Sequence, residues 1–252
     1  MLTDERRMAI FEYIKKNFSA TTEELAEHFN VSTSTIRRDL ENLASKKLIK
    51  RTHKGAVINS PHAESSFLVN YNYMREEKKL IAKKAMAFIN NDEFIALSGG
   101  TTSYMLATEL INSELQGLKI ITNSINIATL ILESKKDFVL IMAGGIPRKG
   151  SYECVGEFTL RTIRAFNIDK FFMGVNGISI EGGISFSSFD EASVAQEFML
   201  RSKEKYVIAD HTKFEVTKPA RVAEIAEVDA IITDAIPEET KFSYTQLGAK
   251  II

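Results

Sequence analysis

The stretch Phe94-Ile95-Ala96-Leu97-Ser98-Gly99-Gly100-Thr101-Thr102 decides the fold of most of this chain. Four apolar residues end abruptly in two glycines and two threonines, and the residues that follow have helical spacing: Tyr104, Leu106, Ala107 and Leu110. A strand, a glycine turn and a helix start in this order predict an anion site, because the free amides and dipole of the helix point at the turn. Glycines let an oxygen-rich group approach the backbone, and threonines add hydroxyl donors. A strand-helix corner that binds nothing is the alternative.

Apolar runs continue to alternate with helical segments after this stretch. The runs are Phe94–Leu97, Leu118–Ile121, Phe138–Met142, Lys170–Val175, Tyr206–Ala209 and Ala230–Ile232. Runs that are apolar throughout and separated by helices predict an α/β fold with a mostly parallel sheet covered on both faces. Ligands bind to such sheets beyond the carboxyl ends of the strands.

Polar residues and glycines collect at that edge, just after the predicted strands. The candidate effector-binding residues are Ser98, Gly99, Gly100, Thr101, Thr102, Asn123, Ser124, Gly145, Asn176, Asp190, Glu191 and Lys213. Together they suit a phosphorylated polyol. Backbone amides and Lys213 would bind the phosphate, and Asn123 with Asp190 or Glu191 would hydrogen-bond the sugar hydroxyls. Each alone is also explained as a turn or a helix cap, and Ser124 is also able to cap a helix.

The first sixty residues have a different pattern, that of short helices. A helix is predicted from about residue 4 to residue 17, and a capping box of Thr21 and Glu24 opens a second. Ser32 is the predicted N-cap of a third helix, in which Ile36, Leu40 and Leu43 form one buried stripe. Two short helices joined by a tight turn match a helix-turn-helix, and the alternating segment 48–57 predicts a hairpin wing.

The exposed face of the third helix is polar and basic, and so is the wing. The candidate DNA-binding residues are Thr33, Ser34, Thr35, Arg37, Arg38, Lys50, Arg51, His53 and Lys54. Hydroxyls bond several base edges and arginine suits guanine, whereas the wing cations suit phosphates. A helical packing domain with a solvated basic face is the alternative.

At these residues the chain resembles the DeoR family of transcriptional regulators. Its DNA-binding signature is matched by Val31-Ser32-x-x-Thr35-Ile36-Arg37-Arg38-Asp39-Leu40-x-x-Leu43 and by Arg51-x-His53-x-Gly55-Ala56. The family commonly has paired glycines after the wing histidine, and here Lys54 replaces the first. This replacement predicts a less tight wing tip with an extra phosphate contact.

The resemblance extends through Gly-Thr-Thr, Thr-Asn-Ser, Gly-Gly and Ala209-Asp210-x-x-Lys213-Phe214 to the sensor domain of the same family. That domain is related to sugar-phosphate isomerases such as ribose-5-phosphate isomerase, and family members typically respond to phosphorylated sugars. The resemblance implies a Gly-Thr-Thr phosphate cradle with Lys213 as a second anionic contact. Ser98 stands where the family often has aspartate, which removes one carboxylate from the implied sugar pocket.

Charge and composition agree with a two-part intracellular protein. The net charge is −1 over 252 residues, yet residues 33–57 hold seven Lys or Arg and two Asp or Glu. One cysteine, no signal peptide and no apolar run near 18 residues predict a cytoplasmic protein without a membrane anchor. Four scattered histidines offer no metal-ligand spacing, and no cofactor is expected. A lysine run is predicted to be a solvated helix face: Lys78, Lys79, Lys83 and Lys84.

We therefore predict a DNA-binding winged helix at 1–58, a linker at 59–73 and an α/β sensing and oligomerisation domain at 74–252. The expected function is a transcriptional regulator, most simply a repressor, whose partners are double-stranded operator DNA and a phosphorylated sugar. A homodimer or homotetramer is expected, since two winged helices read a repeated operator. The alternatives are a sugar-phosphate isomerase-like enzyme with a DNA-binding head, for which Asp190, Glu191 and His211 are the possible acid-base groups, and a domain that only oligomerises.

Overall fold

The computed structural model describes residues 3–17, 19–46, 48–52, 54–58, 67–248 and 250–252. The chain divides into two compact units, Met1–Tyr73 and Met74–Ile252. His53, a candidate DNA contact, and residues 59–66 of the predicted linker lie outside the described residues. The last part of that linker segment contains a helix, Phe67–Asn72, within the first unit. No helix among the described residues is both long and apolar enough to cross a bilayer.

The first unit is a helix-turn-helix with a wing. Its helices are α1 (Thr3–Asn17), α2 (Thr22–Phe29), α3 (Thr33–Ser45) and α4 (Phe67–Asn72). Its antiparallel sheet has the order β1-β3-β2, formed by β1 (Ser19–Thr21), β2 (Ile49–Arg51) and β3 (Gly55–Ile58). The expected helices and hairpin are confirmed, whereas β1 was not predicted. Three residues are too few for a period-two pattern to appear in a sequence.

Local sequence explains how α2 and α3 begin. Thr21 Oγ1 accepts a hydrogen bond from the Glu24 amide at 3.1 Å, and the Glu24 carboxylate accepts one from the Thr21 amide at 2.7 Å. The capping box is therefore complete, as predicted. Asn30 adopts a left-handed conformation at the end of α2, and Ser32 caps α3. The buried stripe of α3 packs with Ile10 and Leu25 in the core of this unit.

The second unit is an α/β fold built on a seven-stranded parallel sheet with the order β15-β14-β12-β9-β4-β5-β6. The strands of this sheet are β4 (Phe94–Leu97), β5 (Lys119–Thr122), β6 (Val139–Met142), β9 (Ile168–Met173), β12 (Ser202–Ile208), β14 (Ala230–Ile232) and β15 (Lys250–Ile251). The helices are α5 (Arg75–Met86), α6 (Thr101–Ile111), α7 (Ile125–Leu132), α8 (Glu157–Arg164), α9 (Phe189–Arg201) and α10 (Glu238–Thr245). The predicted parallel sheet is confirmed.

Two smaller sheets complete the unit and were not predicted. One has the order β10-β11-β13, formed by β10 (Gly177–Ser179), β11 (Gly183–Phe186) and β13 (Ala220–Ala223). The other pairs β7 (Ile146–Pro147) with β8 (Cys154–Val155). Short 3-10 turns follow β12 at His211–Lys213 and β13 at Ile225–Glu227.

The strand order places a topological switch point beside β4. From β4 the chain builds outward through β5 and β6, and it then returns to place β9 on the other side of β4. The helices that follow β4 and β9 therefore diverge, which leaves a crevice at the carboxyl ends of these two strands. The stretch Ser98–Thr102 lies at this crevice.

Candidate functional site

The amino end of α3 presents a cluster of hydroxyl groups. Ser32 Oγ accepts a hydrogen bond from the Thr35 amide at 3.2 Å and lies 2.8 Å from Ser34 Oγ and 2.9 Å from Thr35 Oγ1. Thr33 and Ser34 are exposed, and Thr35 is half-buried. Two of the candidate base-contacting residues, Ser34 and Thr35, are thus held by the helix cap at the surface.

Arg37 and Arg38 are exposed on α3, while Ile36 and Leu40 of the same turns are buried in the core. The guanidinium groups are therefore on the side of α3 that the core does not use. This is the geometry of a recognition helix whose basic face can enter a DNA groove.

Asp39 lies beside these arginines in sequence but points inward. Its carboxylate accepts hydrogen bonds from Arg6 Nε at 2.7 Å and from Arg7 Nε at 3.0 Å. Only 2% of the Asp39 side chain is exposed. These ion pairs fix α1 against α3, which gives the acid of the Arg-Arg-Asp-Leu sequence a structural role that sequence reasoning missed.

The wing carries its cations at the surface. Lys50 and Lys54 are exposed and Arg51 is half-buried. The Lys54 carbonyl accepts hydrogen bonds from the Thr22 amide at 2.9 Å and from Thr22 Oγ1 at 3.1 Å, so the wing tip is attached to the start of α2.

The replacement of a family glycine by Lys54 does not strain the hairpin. Lys54 is not among the described residues with a left-handed backbone. The Thr52 amide donates to the Gly55 carbonyl at 3.0 Å, and the Gly55 amide donates to Thr52 Oγ1 at 3.1 Å. The tip also includes His53, which lies outside the described residues, so a less tight tip stays a prediction. The glycine that the fold requires is Gly55, where a Cβ atom would lie 2.1 Å from the carbonyl oxygen of Ala20.

In the second unit, Ser98 joins the two strands at the switch point. The Gly174 amide, just after β9, donates a hydrogen bond to Ser98 Oγ at 3.0 Å. Ser98 Oγ also lies 3.4 Å from Ser103 Oγ in the first turn of α6. Only 5% of Ser98 is exposed, so this hydroxyl serves the junction of β4, β9 and α6.

Gly100 opens the amino end of α6. It is the N-cap residue with φ of 98°, and no side chain of the described residues caps the helix. A Cβ atom at Gly100 would meet nothing within 4 Å, which places open space in front of this turn. Thr101 and Thr102 are buried at the start of the helix. An uncapped helix terminus that faces a crevice is a site where an anion is stabilised by amides and by the dipole.

Glu153 is the main pocket residue that sequence reasoning missed. Its side chain lies so close to Gly99 that a Cβ atom there would be 2.0 Å from Glu153 Cδ. Asn123 Nδ2 is 3.5 Å from Glu153 Oε2 and donates to the Cys154 carbonyl at 3.0 Å. Burial, reinforced by the charge of Glu191, raises the pKa of Glu153 to about 8, against the opposing effects of Asn123 and Arg148.

Ser124 is buried at the N-cap position of α7 but does not cap that helix. Its hydroxyl donates to Asn126 Oδ1 instead of accepting from a backbone amide. Ser124 therefore holds the N-cap position without a side-chain cap, because Asn126 in the first turn of α7 competes for the hydroxyl. The neighbouring Asn123 has a buried Oδ1 with no hydrogen-bond partner among the described residues.

Glu191 reaches this region from the first turn of α9, where its amide donates to the cap residue Ser188. Its carboxylate forms an ion pair with Arg148. Burial raises the pKa of Glu191, and Arg148 opposes the rise. Asp190 is exposed, whereas Glu191 is half-buried, and the charge of Asp190 adds to the rise in the pKa of Glu191.

Lys213 forms a second cluster after β12. Its Nζ lies 4.0 Å from Asp210 Oδ2, and Asp210 is 1% exposed. Lys78 of α5 is 3% exposed, and burial lowers its pKa to about 8, with the positive charge of Lys213 acting in the same direction and Asp210 against it. Two lysines thus flank one carboxylate at the sheet edge.

The prediction that the lysine run is a solvated face was wrong for two of its four members. Lys78 shares its buried face with Ile81, Ala82 and Ala85. Lys84 donates hydrogen bonds to the carbonyls of Thr233 at 2.8 Å and Asp234 at 3.2 Å. The remaining two, Lys79 and Lys83, are exposed.

Gly145 and Asn176 are explained by packing. A Cβ atom at Gly145 would lie 2.1 Å from Thr159 Oγ1, so this glycine allows α8 to approach. Asn176 Oδ1 accepts a hydrogen bond from the Ser187 amide at 2.9 Å, which fixes the loop before α9. Ser98, Gly99, Asn123 and Glu191 are the candidates that the fold brings around Glu153.

The two units define a class of protein: a DNA-binding regulator with a winged helix-turn-helix and an α/β sensor domain. The model of the DeoR-like helix-turn-helix domain matches residues 6–62, and that of the DeoR C terminal sensor domain matches residues 74–235. The chain belongs to the DeoR family.

Its relatives include named repressors. The glycerol-3-phosphate regulon repressor of Escherichia coli (strain K12) is 35% identical over 237 residues, covering 94% of this chain and 93% of that protein. The HTH-type transcriptional repressor GlcR of Bacillus subtilis (strain 168) is 30% identical over 240 residues, covering 95% and 91%. Among solved structures, ribose 5-phosphate isomerase A from Neisseria gonorrhoeae superposes with a TM-score of 0.42 at 14% identity, over 56% of this chain and 54% of that one.

Proposed function

We propose that this protein is a transcriptional repressor whose binding to operator DNA is released by a phosphorylated sugar. The relatives named as repressors cover nearly the whole chain, and one of them is named for a glycerol-3-phosphate regulon. In this proposal residues 1–58 bind DNA, residues 59–73 join the two parts, and residues 74–252 sense the ligand and oligomerise.

The recognition surface is the exposed basic face of α3 together with the wing. The base edges are contacted by Thr33, Ser34, Thr35 and Arg38, and the phosphates by Arg37 and the wing lysines. Phosphate contacts position the protein on the duplex, while the base contacts select the sequence. Two copies of the chain, in a dimer or tetramer, read a repeated operator.

The observation that carries the ligand proposal is the uncapped amino end of α6 at the switch point, with open space in front of Gly100. The phosphate binds to the amides of this turn and to the hydroxyls of Thr101 and Thr102. Lys213 supplies the second contact, and the buried Lys78 adds positive charge on the same sheet edge. The sugar hydroxyls bind at the Asn123 end of the crevice.

A thermal-shift screen tests the ligand proposal directly. The full chain is heated with inorganic phosphate, glycerol 3-phosphate, glucose 6-phosphate and the unphosphorylated sugars. A ligand that binds the native state raises the melting temperature by mass action, so at least one phosphorylated compound should raise it and its unphosphorylated form should not. Equal shifts with phosphorylated and unphosphorylated sugars would contradict the phosphate site. Turnover of any phosphorylated sugar would contradict a purely sensing role.

A further inference from the structure

Glu153 is placed in the pocket by the backbone around it. The Arg148 amide donates to the Glu153 carbonyl at 2.9 Å, and the Cys154 amide donates to the Asn123 carbonyl at 2.7 Å. Ser124 and Glu153 also form an antiparallel bridge. These contacts attach the segment before β8 to the end of β5. The side chain of Glu153 is thereby directed across the crevice to Gly99, the first glycine of the turn before α6.

The polar groups beside Glu153 leave hydrogen-bonding capacity for a ligand. Asn123 is 1% exposed, and its Oδ1 has no partner among the described residues, while its Nδ2 is 3.5 Å from Glu153 Oε2. A buried amide oxygen without a donor is costly unless another molecule supplies one. An uncharged hydroxyl can donate to this oxygen and accept from a carboxyl proton at the same time.

We propose that Glu153 is the specificity-determining residue of this pocket, and that with Asn123 it selects a phosphorylated sugar or polyol by an uncharged hydroxyl that binds between these two side chains, beside the turn that holds the phosphate. This inference rests on the proposed function.

The charges around Glu153 agree with this selection. The groups that act on it are Glu191 from α9 and Arg148 from the turn before β8, with the thiol of Cys154 next in the chain. Arg148 forms an ion pair with Glu191. Burial keeps the carboxyl of Glu153 protonated near neutral pH, and in that form it can donate to a hydroxyl.

Calorimetric titration of the wild type, Glu153→Gln and Glu153→Ala tests the inference. Glu133→Gln, at an exposed position, is the control. The probes are inorganic phosphate, glycerol 3-phosphate, glucose 6-phosphate and fructose 1,6-bisphosphate. Titrations at about pH 7 and about pH 9 both lie above the second phosphate pKa of about 6, so the charge of the probes changes little.

Glu153→Ala should lower the affinity for whichever of the two monophosphates binds the wild type more tightly by about fivefold to tenfold, the usual effect of losing one hydrogen bond. The affinity for inorganic phosphate should not change. Glu153→Gln should bind that monophosphate like the wild type at about pH 7. At about pH 9 the wild type should bind it more weakly than Glu153→Gln does, because only the wild type ionises at this position. The wild type should also prefer the monophosphate to the bisphosphate more strongly than Glu153→Gln at this pH.

The outcomes separate this inference from the proposal on which it rests. Wild-type affinities in both Glu153 variants at both pH values would overturn the role of Glu153 and leave the sugar-phosphate sensor intact. If Glu153→Ala lost the same factor of affinity for inorganic phosphate and for the monophosphate, the role of Glu153 would also be overturned, since Glu153 would then act on phosphate binding or on folding. A wild type that binds none of the probes would overturn both.

Discussion

The amide of Gly174 donates a 3.0 Å hydrogen bond to Ser98 Oγ and so joins the ends of β9 and β4, the two strands between which the order of the sheet reverses. A serine fits this junction because its hydroxyl is short and can accept from an amide while it donates elsewhere. The carboxyl group of the pocket is instead provided by Glu153, from the other side of Gly99. The crevice therefore has an acidic side chain even though the position before Gly99 is not an aspartate.

Arg38→Ala should weaken operator binding about fivefold to a hundredfold, the range expected when a base contact worth about 1–3 kcal/mol is removed. The side chain is exposed on α3, so folding should be unaffected. Fluorescence anisotropy at one fixed salt concentration measures the change, with an operator duplex selected from random DNA by the wild type. Arg161→Ala, an exposed arginine of α8, is the matched control and should bind normally. Unchanged affinity in Arg38→Ala would exclude this face of α3 as the recognition surface.

Thr101→Ala combined with Lys213→Ala should abolish the thermal shift given by a phosphorylated sugar and leave operator affinity intact. The first change removes a hydroxyl at the uncapped turn of α6, and the second removes the cation beside Asp210. Thr108→Ala with Lys203→Ala, on the same helix and on β12, is a control outside the crevice. A double variant that still responds to the ligand as the wild type does would show that the phosphate binds elsewhere.

Asp39→Asn should destabilise the first unit by about 2 kcal/mol. Loss of one partner of a buried ion pair costs about 3–5 kcal/mol, and the partial exposure of Arg6 and Arg7 reduces that figure. Hydrogen exchange of amides in α1 and α3 measures the effect separately from the second unit. Glu41→Gln on the exposed side of α3 should have no effect. Exchange in Asp39→Asn at the wild-type rate would mean that the two arginines do not stabilise the helix pair.

Glu153→Gln should become more stable than the wild type as the pH rises. The folded-state pKa of Glu153 is raised from 4.5 to about 8, so the folded chain holds a proton that the unfolded chain has lost in this window. Wild-type stability from this group is complete below about pH 4.5 and is lost as the pH rises through about 8. Urea denaturation at a series of pH values measures the difference, with Glu133→Gln as control. A difference between Glu153→Gln and wild type that does not grow between these pH values would contradict the buried, protonated carboxyl.

Much of this architecture could be predicted from local patterns in the sequence. The capping box of Thr21 and Glu24 and the stripe of α3 depend on residues three or four positions apart, so both were predicted correctly. Six of the seven parallel strands were predicted because each contains an apolar run, whereas β15 was missed because it has only two residues. The inward position of Asp39 was not, since its partners in α1 are 32 and 33 residues away.

Ser98, Gly99 and Asn123 were predicted because they come just after β4 and β5, and Glu191 was predicted because it lies at the start of α9. Glu153 lies beside a strand of two residues, and its direction depends on the pairing of Cys154 with Asn123 across 31 positions. The buried position of Lys78 could have been predicted, because its spacing to Ile81, Ala82 and Ala85 places it on the apolar face of α5. The other lysines of the run instead indicated a face exposed to solvent.

The measurement that tests the central claim most directly is the affinity of the full-length protein for its selected operator, with and without a saturating phosphorylated sugar identified by thermal shift. Coupled sites usually change each other's affinity by about 5-fold to 150-fold. We predict that the ligand weakens operator binding within this range in the wild type and has no effect in the Thr101→Ala, Lys213→Ala variant. Equal operator affinity with and without the ligand in the wild type would contradict the claim that the sensor domain controls DNA binding.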